Sequence, residues 1–219
     1  MSDMTVSEVL FEQFCQDNSI PYSRVEQGEF KTPDYDVDFG GHRVIVEVKQ
    51  INPNEDDERL RDQVRSRGAA AGWDESGRRV RLKISSAKKQ LKAGSQGQYS
   101  TILVLYDNVP VGSLDADDIK TAMYGPETIK LLVPDDPEDE RVKIENVGLG
   151  SERKFTPTQN TTFSAIALLF EFGGALRFSI FHNLHAKHPI TPSWLRRDTV
   201  RHFELGPQVQ GTFPEWREV

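Results

Sequence analysis

The chain has 219 residues, enough for one large domain or two small ones. With 37% hydrophobic and 28% charged residues, it is not of disordered or fibrous composition. The formal charge of −7 argues against a polyanion bound over the whole surface, so any nucleic-acid partner has to meet a local basic patch.

No apolar run approaches the roughly 20 residues of a membrane-spanning helix, and no basic stretch leads into an apolar one at the start. A cytoplasmic protein without membrane contact is expected. The single Cys15 cannot form an internal disulfide, which agrees with a reducing compartment.

In chain order, Thr5 or Ser7 is a candidate N-cap. Val6, Leu10, Phe11, Phe14 and Cys15 then recur at helical spacing, which predicts an amphipathic helix. A short strand is expected at Tyr22 to Val25. Next comes TPDYDVDFGGHRVIVEVKQ, Thr32 to Gln50, where apolar residues alternate with a period of two on both sides of Gly40-Gly41.

A two-residue turn fixes the register of this hairpin. Phe39 faces His42, Asp38 faces Arg43, Asp36 faces Ile45, and Asp34 faces Glu47. Tyr35, Val37, Phe39, Val44, Val46 and Val48 then form a core face, since a slip of one residue would turn the valines to water. Like charges directly opposed in a sheet repel unless a cation lies between them. Asp34 and Glu47 are therefore a candidate two-carboxylate metal site, with Lys49 two residues along on the same face. Pro33 marks where the strand starts.

Pro33-Asp34, thirteen residues, and then Glu47-Val48-Lys49 resembles the PD-(D/E)XK nuclease superfamily, the restriction-endonuclease-like fold. The resemblance implies an α/β domain with a mixed central sheet flanked by helices: a helix, three strands, a helix and a fourth strand. It implies that Asp34 and Glu47, with the Val48 carbonyl, hold Mg²⁺ or Mn²⁺, and that Lys49 positions the attacking water or offsets charge on the phosphate. It also implies a carboxylate from the first helix; Glu8 fits that placing best and Glu12 is the alternative. The activity implied is phosphodiester hydrolysis, of DNA ahead of RNA, as an endonuclease of prokaryotic defence, restriction or repair. The alternatives are a catalytically inactive nucleic-acid-binding module and an oligomeric interaction module of a larger defence assembly, with a homodimer among the arrangements left open.

The stretch from about 51 to 79 is polar and broken by Gly68, Gly72 and Gly77, so a short helix and a loop inserted into the core are expected. Val80, Ile84, Ala87 and Leu91 then define the buried stripe of a helix ending near Gly94, and Thr101 to Tyr106 reads as a fully apolar strand. Lys83, Ala87 and Gln90 share one side of this helix, so Lys83 and Gln90 can face the carboxylates or a phosphate. From Arg59 to Lys92 there are eleven Lys and Arg against three acids, whereas from Leu114 to Glu145 there are four bases against ten acids. Arg78, Arg79, Arg81, Lys83 and Gln90 are therefore the candidate nucleic-acid contacts.

The core is assigned to residues 1–110, and residues 111–219 to a β-rich extension packed on it. That extension is expected to contain a helix near Ala116 to Met123, strands at Ile129 to Val133 and Val142 to Val147, and a second Gly-Gly hairpin around Gly173-Gly174. His182, His185 and His188 invite a metal reading. Three-residue spacing points to opposite faces of a strand, however, and no Cys lies nearby. No G-x-x-x-x-G-K-[ST] loop is present, which excludes nucleotide hydrolysis by that device.

Overall fold

Thr5 caps the first helix, α1 (Val6–Asp17), with Glu8 reaching back to the Thr5 amide in a capping box. The face that α1 buries is Ser7, Phe11, Phe14 and Cys15. Val6, expected inside, is exposed, and Ser7, one position on, takes a buried place in its stead. A computed structural model describes residues 4–26, 32–69, 75–109, 114–134 and 141–219, and residues 70–74 of the expected 51–79 insertion lie outside them.

β1 (Tyr22–Arg24) pairs antiparallel with β2 (Tyr35–Asp38), and β2 with β3 (Arg43–Ile51). The β2–β3 register is the one that the Gly-Gly turn dictates: Asp38 opposite Arg43, Asp36 opposite Ile45 and Tyr35 opposite Val46. Gly40 and Gly41 both have positive φ, 63° and 90°, as this tight turn requires.

α2 (Glu55–Arg67) starts just beyond β3 and buries none of its residues. α3 (Arg78–Ser95) buries the predicted Val80, Ile84, Ala87 and Leu91. It runs through Gly94, whose role is packing rather than termination: a Cβ there would come within 2.5 Å of Pro33 and 2.9 Å of Ile45. The left-handed residue that ends the helix is Gln96.

β4 (Ser100–Asp107) lies parallel to β3. After α4 (Ala116–Tyr124), β5 (Glu127–Leu132) and β6 (Lys143–Leu149) form a separate two-stranded ribbon. The second Gly-Gly hairpin, β7 (Ala165–Phe172) and β8 (Ala175–His182), continues the main sheet through β7 parallel to β4. β9 (Val200–Leu205) and β10 (Trp216–Glu218) complete it.

The result is an α/β architecture with a mixed eight-stranded sheet, ordered β1-β2-β3-β4-β7-β8-β9-β10. One face packs on α1 through Phe11, Phe14, Tyr35, Val46 and Phe178. The other packs on α3 and α4 through Ile45, Ile84, Leu103, Met123 and Phe181. Both cores contain residues from either side of position 110, so the C-terminal strands are part of the same sheet. No helix among the described residues is long and apolar enough to cross a membrane.

Candidate active site

The aspartates of the first hairpin separate into distinct duties. Asp38 accepts the Gly41 amide at the turn, and Asp36 pairs with Arg43 at 2.7 Å. Asp34 lies just before β2, where the ladder ends. Its main-chain N–H donates to the Val46 carbonyl, and its Oδ2 accepts the Val48 amide at 2.8 Å, replacing the ladder bond that β2 no longer supplies. Two geometric constraints thus place its carboxylate beside Glu47.

Glu47 is fully buried, between its neighbours in the sheet and α3, and neither carboxylate oxygen receives a hydrogen bond. Lys49 Nζ touches Glu47 Oε1 as an ion pair, without the alignment of a hydrogen bond, and keeps a quarter of its side chain exposed. Burial first, and the neighbouring charge of Asp34 second, push the Glu47 carboxyl up to about 7, with Lys49 pulling it back. Burial also raises Asp34, opposed by the Val48 amide and the Lys49 charge. A fully buried carboxylate beside a second, half-buried one is costly, and one ammonium, Lys49, with one amide, that of Val48, offsets only part of that cost.

α3 brings a second cation. The Lys83 ammonium is lowered by burial and then by repulsion from Lys49. Gln90 is buried and donates to the Thr32 carbonyl at 3.1 Å, holding the chain as it enters Pro33-Asp34. The close packing of Gly94 on Pro33 serves the same end.

Other expected site residues have other partners. The Glu8 carboxylate is bound to the Thr5 amide and hydroxyl at 2.6 and 2.7 Å, although it lies close enough for its charge to be felt at Asp34. Glu12 accepts from Tyr35 Oη and pairs with Arg24. The basic block also divides: Arg78 is exposed, Arg79 clamps Asp57 at 2.7 and 2.8 Å and so ties α2 to α3, and Arg81 is buried against Glu75 and the Ser76 carbonyl. Arg79 and Arg81 therefore have structural work that charge counting did not reveal.

The histidines do not converge. His182 is buried against His202, and His188 Nε2 lies 2.8 Å from the Gly97 carbonyl. Among the described residues, no three His, Cys, Asp or Glu side chains come together as a metal-holding group. Asp34 and Glu47 make two, and adjacent carboxylate oxygens of this kind fit a hard cation. Mg²⁺ typically takes one or two carboxylates and fills its remaining positions with water and substrate phosphate. Sequence reasoning missed Gln50, whose Oε1 accepts the Ser7 amide at 3.2 Å and fixes the start of α1 over β3. The buried Ser7 at an otherwise apolar interface is the signal that could have found it.

No family model matches the chain, and no curated protein or solved structure matches it.

Proposed function

We propose that the protein is a Mg²⁺- or Mn²⁺-dependent nuclease of the PD-(D/E)XK type, hydrolysing phosphodiester bonds of DNA ahead of RNA. The observation that carries this reading is the fully buried Glu47 beside Asp34, with the Lys49 ammonium in contact with Glu47 Oε1. The order of elements, α1-β1-β2-β3-α3-β4 with α2 inserted, is the one that the resemblance leads one to expect.

Asp34 and Glu47 would hold the cation, with the Val48 carbonyl next to them on β3. A bound divalent ion supplies Lewis-acid polarisation of the phosphate and lowers the pKa of a coordinated water. Lys49, in contact with Glu47 Oε1, would offset charge as it develops on the scissile phosphate. Lys83 adds a second positive group from α3 to orient the phosphate.

One observation favours a second reading, an oligomeric interaction module: the β5–β6 ribbon exposes Ile129, Leu131, Leu132 and Ile144. The test is to incubate plasmid, linear duplex, single-stranded DNA and RNA with wild type, Asp34→Asn and Glu47→Gln in Mg²⁺, Mn²⁺ or EDTA. Cleavage by wild type alone, and only with metal, is expected. Equal cleavage by Glu47→Gln, or none by wild type on any substrate, overturns the reading, and a sizing column then decides for the oligomer.

A further inference from the structure

The face of the sheet that carries Glu47 and Lys49 can be followed strand by strand. In register with Lys49 stand Leu105 on β4, Leu168 on β7, Ser179 on β8 and Arg201 on β9. These are four steps of roughly 4.8 Å, about 19 Å in all. α3 and α4 cover the first part of this face. Beyond them it is open, and alternation along β7 and β8 brings Phe170, Phe172 and Arg177 to the same side.

This open part is a cleft of about 390 Å³ lined by Phe170, Phe172, Arg177, Ser179, Arg201 and Phe203. Phe170 is 38% and Phe172 66% exposed, although both belong to a strand whose first half is core. Arg177 lies opposite Phe170 in the ladder, and its guanidinium sits 5.6 Å from the Phe172 ring centroid. Its Nε is buried and without a hydrogen-bond partner among the described residues, so a donor here lacks an acceptor. Arg201 makes a 3.8 Å pair with Glu218, with both side chains more than half exposed. No acid among the described residues lines the cleft.

We propose that this cleft is a stacking platform for the unpaired bases of a single-stranded polynucleotide, with Phe170 and Phe172 as base-stacking rings and Arg177 and Arg201 on the phosphates. Its occupant is chosen by chemistry. Exposed aromatics beside arginines suit bases linked by phosphates, whereas a duplex buries its base faces and offers rings nothing to stack on. The cleft also lies on the same face and at the same end of the sheet as Lys49. This substrate class rests on the nuclease reading above.

The test measures binding in EDTA, where no strand is cut, with three labelled probes: a single-stranded oligonucleotide, its duplex, and an abasic oligonucleotide of the same length. Wild type should prefer the base-bearing single strand over the abasic one. Phe172→Ala should weaken that binding at least about 5-fold, the low end for loss of one stacked base, and leave the abasic probe unaffected. Phe172→Tyr should restore it. Arg177→Ala should weaken both single-stranded probes.

Equal affinity of Phe172→Ala and wild type for the base-bearing strand overturns the platform. So does equal wild-type affinity for base-bearing and abasic strands, or a wild-type dimer that Phe172→Ala converts to monomer. The two readings fail separately. Phe172-dependent binding without Mg²⁺-dependent cleavage sinks the nuclease alone, and cleavage with Phe172-independent binding sinks the platform alone.

Discussion

Two buried polar clusters lie within this one sheet, and they are satisfied to different degrees. On the α1 face, His182 Nε2 lies 3.0 Å from His202 Nδ1, and His202 Nε2 lies 3.0 Å from the Leu195 carbonyl. A carbonyl only accepts, so His202 donates to Leu195 and accepts from His182, and both rings are neutral and held. On the α3 face, Glu47 is more deeply buried, and its Oε1 meets the Lys49 ammonium without the alignment of a hydrogen bond. A cluster that satisfies itself tightens the fold. One whose carboxylate oxygens stay outside any aligned hydrogen bond has room for a further cation, a contrast that burial alone does not reveal.

The largest effect that tests this contrast is kinetic. Lys49→Ala should leave metal affinity nearly intact and lower single-turnover cleavage by about 10²–10³, the scale for loss of one electrostatic stabiliser. A mutant that cuts at the wild-type rate, on a substrate that Glu47→Gln cannot cut, would reduce Lys49 to a solvated strand residue.

Next comes the pH response of the histidine pair. Burial, and then the charge of His202, hold His182 down to about 4, and burial lowers His202 too. Because the folded state disfavours protonation, the stability contributed is fully present above the ordinary pKa of about 6.5 and drains away as pH falls from there toward about 4. For His182 alone this amounts to about 3 kcal/mol. Urea unfolding at pH 7 and pH 4.5 should show the loss, and His182→Gln should reduce it; an unchanged midpoint would show that the pair is not buried neutral.

The carboxylate cluster should respond in the opposite sense to simplification. In metal-free buffer at pH 8, Glu47→Met should stabilise the protein by about 2 kcal/mol, because a fully buried carboxylate, beside the charge of Asp34 and only partly offset by Lys49, is replaced by an apolar side chain of similar size. Lys49, a quarter exposed, keeps its hydration. Thermal unfolding that shows Glu47→Met to be destabilised would mean that Glu47 is satisfied in the fold.

The smallest effect distinguishes the arginines. Arg78→Glu should reduce the salt slope of nucleic-acid binding by about one unit, the weight of one phosphate contact, with stability unchanged. Arg79→Ala should release α2 and lower stability with little change in that slope, because its guanidinium is spent on Asp57. The reverse pattern, read from binding titrations across a salt series, would return Arg79 to the nucleic-acid surface.

Much of the candidate site was legible before any tertiary contact was known. A two-residue turn leaves one register open to a half-buried hairpin, so Gly40-Gly41 and the alternation around it were enough to place Asp34 by Glu47 and Lys49 on their face. Helical period marked the buried stripe of α3 and with it Lys83 and Gln90. These are local rules that a short stretch of chain obeys by itself.

What needed the tertiary structure was the fate of each charge. Glu8 closing its own cap, Arg79 clamping Asp57 and Arg81 turning inward depend on which surfaces meet, and identical residue types would read the same on a solvated helix. The same holds for β7–β10 joining the main sheet, since strand order between distant segments is decided by how two apolar faces are covered at once. Sequence periodicity determined which residues share a face. Only long-range packing decided which of them kept a free charge, because a partner within hydrogen-bond reach is a property of three-dimensional position and not of spacing along the chain.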